Sequence, residues 1–173
     1  MASQTQILIA EEHPSACFKI VGRGDFRCSD DLRQAIRRLR ETGYTEFTFD
    51  LADCPHLDST FIGVLASPLR KLTGPAGPVP AGRVRISRAQ ETVCQILEDM
   101  GIAPMVEMVD TAPDSGSFHP SEAHNASRAE LSEASLEAHE TLMALDPERN
   151  AARFQDVVTF LRKELGKGPA SGA

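Results

Sequence analysis

The chain has 173 residues, of which 41% are hydrophobic, and its formal net charge is −7 at pH 7. This length accommodates one domain with an appendage but not two ordinary domains, and an acidic chain without a basic patch argues against binding to nucleic acid or to an anionic membrane. No apolar run approaches membrane-spanning length, and the first residues lack the basic and apolar parts of a secretion signal, so we expect a cytoplasmic protein without membrane insertion.

The chain begins with a predicted β-hairpin followed by a helix. Residues 6–10 and 16–22 are typical of short strands, and the polar residues between them predict a turn. Ser29 and the two aspartates after it are typical of a helix N-cap, and the apolar residues that follow at helical spacing extend this helix to Gly43. Its other faces carry four arginines, which we expect to be solvated or to form a docking surface: Arg33, Arg37, Arg38 and Arg40.

A central strand and a second helix come next. Residues 46–51 alternate apolar and polar side chains, which is typical of a strand with one covered face. Apolar residues then recur at helical spacing from Ile62 to Leu72. Asp58 and Ser59 stand where this helix requires its cap and first turn. Because the positive end of the helix dipole lies there, a hydroxyl at this point can carry a phosphate.

Two more strands and one helix are predicted before residue 110. Glycine and proline dominate residues 74–82, which predicts an exposed loop. Residues 83–86 form a strand pattern, residues 87–90 a capping-box pattern before a helix, and residues 105–109 a last strand. This order predicts an α/β fold, a mixed sheet of four to five strands with helices packed on one face.

The composition of the chain changes at Asp110. Residues 111–121 contain prolines and a glycine, which predicts a linker. We expect a C-terminal helical extension over residues 122–166. Ser127 begins a capping-box pattern, and Asp146 with the proline after it predicts the start of a second helix.

The second helix of this extension carries a regular apolar stripe, made of Phe154, Val157, Val158, Leu161 and Leu165. The stripe is expected to pack against the first tail helix or against the domain, and the alternative is a surface for a partner or a homodimer. Residues 167–173 are expected to be disordered.

Some residues are of types that serve in metal binding or catalysis. Cys54, His56 and Asp58 are too few and too crowded on one loop for a metal site, and the four cysteines have no paired ligand spacing. His56, Asp58 and Ser59 are triad residue types, but neighbours on one short turn rarely converge as a triad does. We therefore predict no metal, no cofactor and no catalytic residue, in a protein that is not an enzyme. The remaining histidines are expected to be solvated: His13, His119, His124 and His139.

The stretch from Asp50 to Leu65 resembles the signature of the STAS domain, the module of bacterial anti-sigma factor antagonists and of sulfate-transporter tails. The family pattern is roughly D-L-S, a short loop, and then D-S-S/T-G-L-G-V-L. Here Ala52 stands for the early serine, and Phe61 stands where the family usually has glycine. The resemblance covers residues 1–110, which we assign to a STAS domain.

The resemblance implies an anti-sigma factor antagonist that works by partner switching. The unphosphorylated protein would bind an anti-sigma factor serine kinase, phosphorylation at Ser59 would release it, and a metal-dependent phosphatase would reset the switch. Thr60 is the alternate acceptor. The implied partner-binding residues, the first of them from a G-x-x-D match after the second strand, are Asp25, Asp58, Ser59, Thr60, Phe61 and Gly63.

Two other interpretations remain open. Serine is common at helix starts, and Ser59 can simply cap or line this one. The protein can also be a STAS adaptor or scaffold, as in lipid-transport or stress-signalling complexes, that docks a partner through the same loop without exchange of phosphate.

Overall fold

The alternating apolar segments form strands, and the segments with helical spacing form helices. The structure is a computed structural model that describes residues 4–123 and 125–169. The strands are β1 (Gln6–Glu12), β2 (Ser15–Val21), β3 (Glu46–Asp50), β4 (Leu72–Gly74), β5 (Gly77–Val79), β6 (Arg83–Ser87), β7 (Glu107–Val109) and β8 (His119–Pro120). The helices are α1 (Phe26–Glu41), α2 (Ser59–Leu65), α3 (Glu91–Asp99), α4 (Arg128–Leu145) and α5 (Pro147–Glu164), with short 3₁₀ turns at Ser67–Leu69 and Ala103–Met105.

The main sheet is mixed, as predicted. Its strand order is β7-β6-β3-β2-β1-β8. β1 and β2 form the antiparallel hairpin, whereas β3, β6 and β7 continue parallel to β2. These are the five predicted strands. A sixth, β8, comes from the predicted linker and pairs antiparallel with β1, where Ile9 faces His119.

The two faces of the sheet are covered differently. Phe18, Phe49 and Ile86 lie side by side on neighbouring strands, and all three are 0% exposed. They belong to one hydrophobic core that also contains residues of α1, α2 and α3, as expected for helices packed on one face. On the opposite face the chain after β7 crosses the sheet, and the Ser87 hydroxyl donates to the Thr111 carbonyl at 2.5 Å.

The first helix begins earlier than the sequence pattern predicts. α1 starts at Phe26, and its N-cap is Asp25, whose carboxylate accepts the Arg27 N–H at 3.0 Å. Ser29, the predicted cap, is buried in the first turn and donates its hydroxyl to the Asp25 carbonyl. Arg40, expected to be solvated or to form a docking surface, is only 3% exposed because its guanidinium donates to three backbone carbonyls.

The helix after the central strand is shorter than its apolar spacing predicts. α2 ends at Leu65, and the 3₁₀ turn that follows contains Pro68, which cannot donate the next helical hydrogen bond. Leu72, the last residue of the predicted helix, begins β4. The predicted exposed loop at residues 74–82 is partly ordered, because β4 and β5 pair as a small hairpin.

The predicted capping box before the third helix is wrong. Ser87 is the last residue of β6 and pairs with Val109 of β7. α3 begins four residues later, at Glu91, after an N-cap Gln90 whose side chain makes no capping hydrogen bond. Ser87 therefore belongs to β6 and not to the helix cap that the local pattern predicts.

α4 and α5 form a helical hairpin with the predicted caps. Ser127 and Glu130 make a reciprocal capping box, and Asp146 caps α5 with Pro147 at its first position. The apolar stripe of α5 packs inside the chain, as the first of the two interpretations predicts, through Phe154, Val158 and Leu161.

Parts of two expectations lie outside the described residues. His124 and residues 170–173, predicted to be solvated and disordered respectively, lie outside them. Residues 167–169 form neither helix nor strand. Within the described part of the chain, no helix combines the length and the apolar character that crossing a membrane requires.

Candidate functional site

Asp58 joins the starts of two helices. Its backbone is extended, with φ −92° and ψ 170°, so that the side chain turns back onto α2. One carboxylate oxygen accepts the Phe61 N–H, and the other accepts the Phe26 N–H at the start of α1, both at 2.8 Å. A negative charge therefore lies at the positive ends of two helix dipoles, where it is favourable.

The segment before α1 is bonded to the segment before α2. The N–H and the carbonyl of Gly24 bond to the backbone of His56 and Asp58, both at 3.0 Å. This pairing brings Asp25 and Asp58, two predicted site residues, to neighbouring helix starts. Arg27 donates to the Asp25 carboxylate, and this hydrogen bond holds the pKa of Asp25 below its usual range.

Ser59 is the first residue of α2, as predicted, and it is half-buried. Its hydroxyl oxygen lies 3.0 Å from Nε2 of His139 in α4, although 80 positions separate the two residues. Nδ1 of His139 lies 2.7 Å from the carbonyl oxygen of Ser135, which can only accept. In the neutral ring Nδ1 therefore carries the proton, and Nε2 accepts from the Ser59 hydroxyl.

His139 is buried, and the expectation that it is solvated is wrong. The side chain is 5% exposed, and its ring centroid lies 4.9 Å from that of Phe154 in α5. Burial lowers the pKa of His139, although the Ser135 backbone and the charge of Asp58 act in the opposite direction. This position consequently favours the neutral imidazole.

The residues that follow Ser59 are covered more completely. Thr60 is 5% exposed, and its hydroxyl lies 3.2 Å from that of Ser135. Gly63 faces Ala138 so closely that a Cβ at position 63 would lie 2.6 Å from the Ala138 Cα. Phe61 points inward and is 0% exposed, so its predicted role as a partner contact is wrong for its side chain. A large apolar side chain on the inner side of α2 belongs to the core.

The residue types considered for metal binding and catalysis have ordinary surroundings. Cys54 is buried, and its thiol lies 3.4 Å from the carbonyl oxygen of His56. Among residues 4–123 and 125–169, no group of three or more histidine, cysteine, aspartate or glutamate side chains is placed to hold a metal ion. The histidine that contacts Ser59 is His139, and not the neighbouring His56 of the triad pattern.

Comparison with known proteins identifies the family. The family model described as STAS domain matches residues 8–115. This chain belongs to the STAS domain family. Comparison with curated proteins finds no match.

Two solved structures are similar to this STAS domain. One is a candidate anti-sigma factor antagonist from Thermotoga maritima, with a TM-score of 0.50 and 15% sequence identity over 60% of this chain and 85% of that one. Another is the anti-sigma factor antagonist SpoIIAA in its unphosphorylated form, with a TM-score of 0.48 and 15% identity over 63% of this chain and 90% of that one. At 15% sequence identity, the similarity to the Thermotoga maritima structure supports the STAS fold alone.

The family match ends before the helical hairpin, so α4 and α5 are an addition to the STAS domain. Arg33 of α1 pairs with Glu137 of α4 at 3.0 Å, and the Asn150 side chain of α5 donates to the Met100 carbonyl at 2.9 Å. Three apolar side chains of the hairpin join the main core: Ala138, Leu142 and Phe154. The addition is thus docked by both polar and apolar contacts.

The contact between Ser59 and His139 is the feature of the candidate site that the sequence analysis missed. A signal for it exists in the pattern of α4, where Ala134, Ala138 and Leu142 form a buried stripe. Ser135 and His139 each follow a member of this stripe by one position. Polar residues at the edge of a buried stripe are expected to lie in the interface and not in water.

Proposed function

We propose that this STAS protein is an anti-sigma factor antagonist that works by partner switching. In its unphosphorylated form it binds an anti-sigma factor serine kinase, and phosphorylation of Ser59 releases that kinase. A metal-dependent phosphatase then removes the phosphate. The protein is a cytoplasmic binding module without a cofactor or a catalytic activity of its own.

The observation that carries this proposal is the position of Ser59 as the first residue of α2, directly after the Asp58 cap. A phosphate adds a charge of about −1.5 to −2 at neutral pH. Beside the Asp58 carboxylate this charge makes a close contact with a partner unfavourable, through repulsion and through the cost of removing water. Ser59 is favoured over Thr60 as the acceptor, because Ser59 is half-buried and Thr60 is only 5% exposed.

The same geometry supports a set of partner contacts on one side of α2. Asp25 and Asp58 stand at adjacent helix starts, and Ser59, Thr60 and Gly63 lie on the side of α2 that faces away from the sheet and toward α4. We propose that these residues contact the kinase.

The proposal is tested by incubating the full chain with ATP and each candidate anti-sigma kinase of the source organism, followed by phosphopeptide mass spectrometry. We expect label on Ser59 and none in the Ser59→Ala variant, with Thr73→Ala, which removes an exposed hydroxyl from β4, as the matched control that keeps the label. Label on Thr60 alone would keep the switch proposal but would make Thr60 the acceptor in place of Ser59. If no kinase labels either the chain or a variant in which α4 is displaced from α2, such as Ala138→Arg, the switch proposal is rejected.

A constitutive STAS adaptor is the second candidate function. It is favoured by the cover that α4 places over Ser59 and Thr60, because a covered hydroxyl suits a permanent structural contact. An adaptor predicts partner binding that is insensitive to ATP and to substitution of Ser59.

A homodimer through the C-terminal helix is proposed as an accompanying assembly. Val157 and Phe160 of α5 are 39% and 64% exposed, and they lie on the same side of that helix. Light scattering of the wild type and of Phe160→Asp tests it: a dimer predicts a halved mass for the variant, and an unchanged monomeric mass for both rejects it.

A further inference from the structure

One helix of the hairpin covers the outer side of α2 at the proposed switch site. Ser135, Ala138 and His139 lie within little more than one turn of α4. They contact Thr60, Gly63 and Ser59 respectively, which are successive members of the outer side of α2. The surface that the proposed partner needs is therefore already occupied by a segment of the same chain. The neighbouring α1 is held as well, through Arg33 and Glu137.

This arrangement opposes phosphoryl transfer. The Ser59 hydroxyl is half-buried and in hydrogen-bond contact with His139, so this contact must break before a phosphate can be added to that oxygen. At Gly63 the backbones of α2 and α4 approach so closely that even a methyl group would overlap with Ala138. A partner side chain cannot enter between the two helices.

We propose that the α4–α5 hairpin is an intramolecular inhibitor that must leave α2 before a partner binds or Ser59 is phosphorylated. The inference rests on the proposed switch at Ser59 and adds a third, closed state to it. The closed state binds no partner, the open unphosphorylated state binds the kinase, and the phosphorylated state cannot close in the same way.

The composition of the interface suits a contact that opens as a unit. The hairpin holds itself together by a small apolar cluster of Leu136, Val158 and Leu161, which is separate from the main core. Ion pairs between α4 and α5, such as Arg128 with Glu164 at 2.8 Å, stay within the hairpin when it moves. The polar contacts to α2 are two hydroxyl hydrogen bonds, which water can replace on opening, and beside them three apolar side chains of the hairpin join the main core: Ala138, Leu142 and Phe154.

The closed state lowers the apparent affinity for the partner by the fraction of molecules that are open. If one molecule in a hundred is open, the apparent dissociation constant rises about a hundredfold. Because closure and phosphorylation exclude each other, each one opposes the other by the same free energy. A variant that opens the hairpin should therefore be phosphorylated faster and bind its partner more tightly.

Amide hydrogen exchange on the full chain tests whether the hairpin opens separately, and it requires no partner. In the wild type we expect the amides of α2 and α4 to exchange at least tenfold faster than those of β2 and β3. Equal rates would mean that the hairpin opens only when the whole protein unfolds, and this result overturns the inference.

A variant designed to open the hairpin, together with a matched control, also tests whether the hairpin opens separately from the core. Ala138 is 1% exposed against α2, so Ala138→Arg should release the hairpin, whereas Ala144→Arg places the same side chain on an exposed part of the same helix. We expect at least tenfold faster exchange of α2 in Ala138→Arg, with β2 and β3 unchanged, and no change in Ala144→Arg. Acceleration of β2 and β3 together with α2, or no acceleration at all, contradicts a separable cover.

A locking variant tests the effect on phosphorylation. The hydroxyls of Thr60 and Ser135 lie 3.2 Å apart, so cysteines at both positions bring two sulfur atoms within reach of a disulfide. With the kinase that labels the wild type, we expect Ser59 to be labelled at least tenfold more slowly in the oxidised than in the reduced form. Equal rates in the two forms overturn the inference. If no kinase labels either the reduced protein or Ala138→Arg, the switch at Ser59 is rejected. The amide hydrogen-exchange rates then test the separate opening of the hairpin independently of the switch.

Discussion

The STAS core and the C-terminal hairpin cover the two sides of α2 with different residues. On the side of the core the contacts are made by large apolar side chains that are 0% exposed: Phe61, Ile62 and Leu65. On the side of the hairpin, two hydroxyls, a histidine and a glycine take part in the contact beside the apolar Ala138 and Leu142. Burying large apolar side chains stabilises a fold strongly, whereas hydrogen bonds between small polar groups exchange with water at little net cost. Burial alone therefore does not distinguish a permanent contact from a reversible one, and the chemistry of the buried groups does.

The largest expected effect concerns the apolar anchor of the hairpin. Phe154 is 6% exposed and packs on His139, so Phe154→Ala should weaken the docking of the hairpin by about 3–5 kcal/mol. Limited proteolysis should then cut between β8 and α4 while the STAS core stays intact. Gln155→Ala, at an exposed position of the same helix outside the proposed dimer surface, is the control and should change stability by less than about 0.5 kcal/mol. An equal effect of both substitutions contradicts the assigned packing.

The next effect concerns the side of α2 that faces the core. Leu65→Ala should lower the free energy of unfolding of the whole protein by about 2–5 kcal/mol, because Leu65 is 0% exposed in the main core. Urea denaturation measures this loss, with Met105→Ala as a control of an exposed apolar residue outside the proposed dimer surface. A loss below about 1 kcal/mol for Leu65→Ala would mean that the core side of α2 contributes no more to stability than the hairpin side does.

A smaller effect is expected from charge at the switch residue. Ser59→Asp should reduce binding of the anti-sigma kinase at least tenfold, which is about 1.4 kcal/mol. Ser59→Asn has nearly the same shape without the charge, so calorimetry on the two variants separates repulsion from a change of size. Equal binding of the two variants would argue that a phosphate does not act through its charge.

The smallest expected effect is a dependence of closure on pH through His139. Burial lowers the pKa of this histidine in the closed form, whereas the open form has the ordinary value of about 6.5. Above this value both forms are neutral and closure is independent of pH. As the pH falls below about 6.5, the open form takes up a proton that the closed form refuses, so closure weakens by at most about 1.4 kcal/mol per pH unit.

The groups that face His139 set the conditions of this experiment. They are Ser59 and the nearby charge of Asp58 at the start of α2, Ser135 on its own helix, and the Phe154 ring. Amide exchange of α2, corrected for the intrinsic effect of pH, should show more opening at pH 5.5 than at pH 7.5. His139→Gln should remove the difference, and His119→Gln, at an exposed position, should keep it. A difference that persists in His139→Gln assigns the titration to another group.

Local signals predicted the parts of the site that depend on neighbouring residues. The Asp58 cap, the start of α2 at Ser59 and the caps of α4 and α5 at Ser127 and Asp146 all appear where the sequence places them. A capping hydrogen bond joins residues three positions apart, so its partners are known as soon as the helix is predicted. Where a local pattern competed with pairing between strands, as at Ser87, the strand prevailed and the prediction failed.

The sequence by itself thus determined the STAS core, the order of its elements and the position of Ser59 at the start of a helix. Only the tertiary structure decided that Asp58 caps α1 as well as α2, that Phe61 points inward, and that His139 lies against Ser59. The physical reason is distance along the chain. The pattern of α4 indicates that His139 lies at the edge of a buried stripe, but it does not identify Ser59, 80 positions away, as the partner. That contact depends on how the hairpin docks, and docking is decided by the fit of whole helix surfaces.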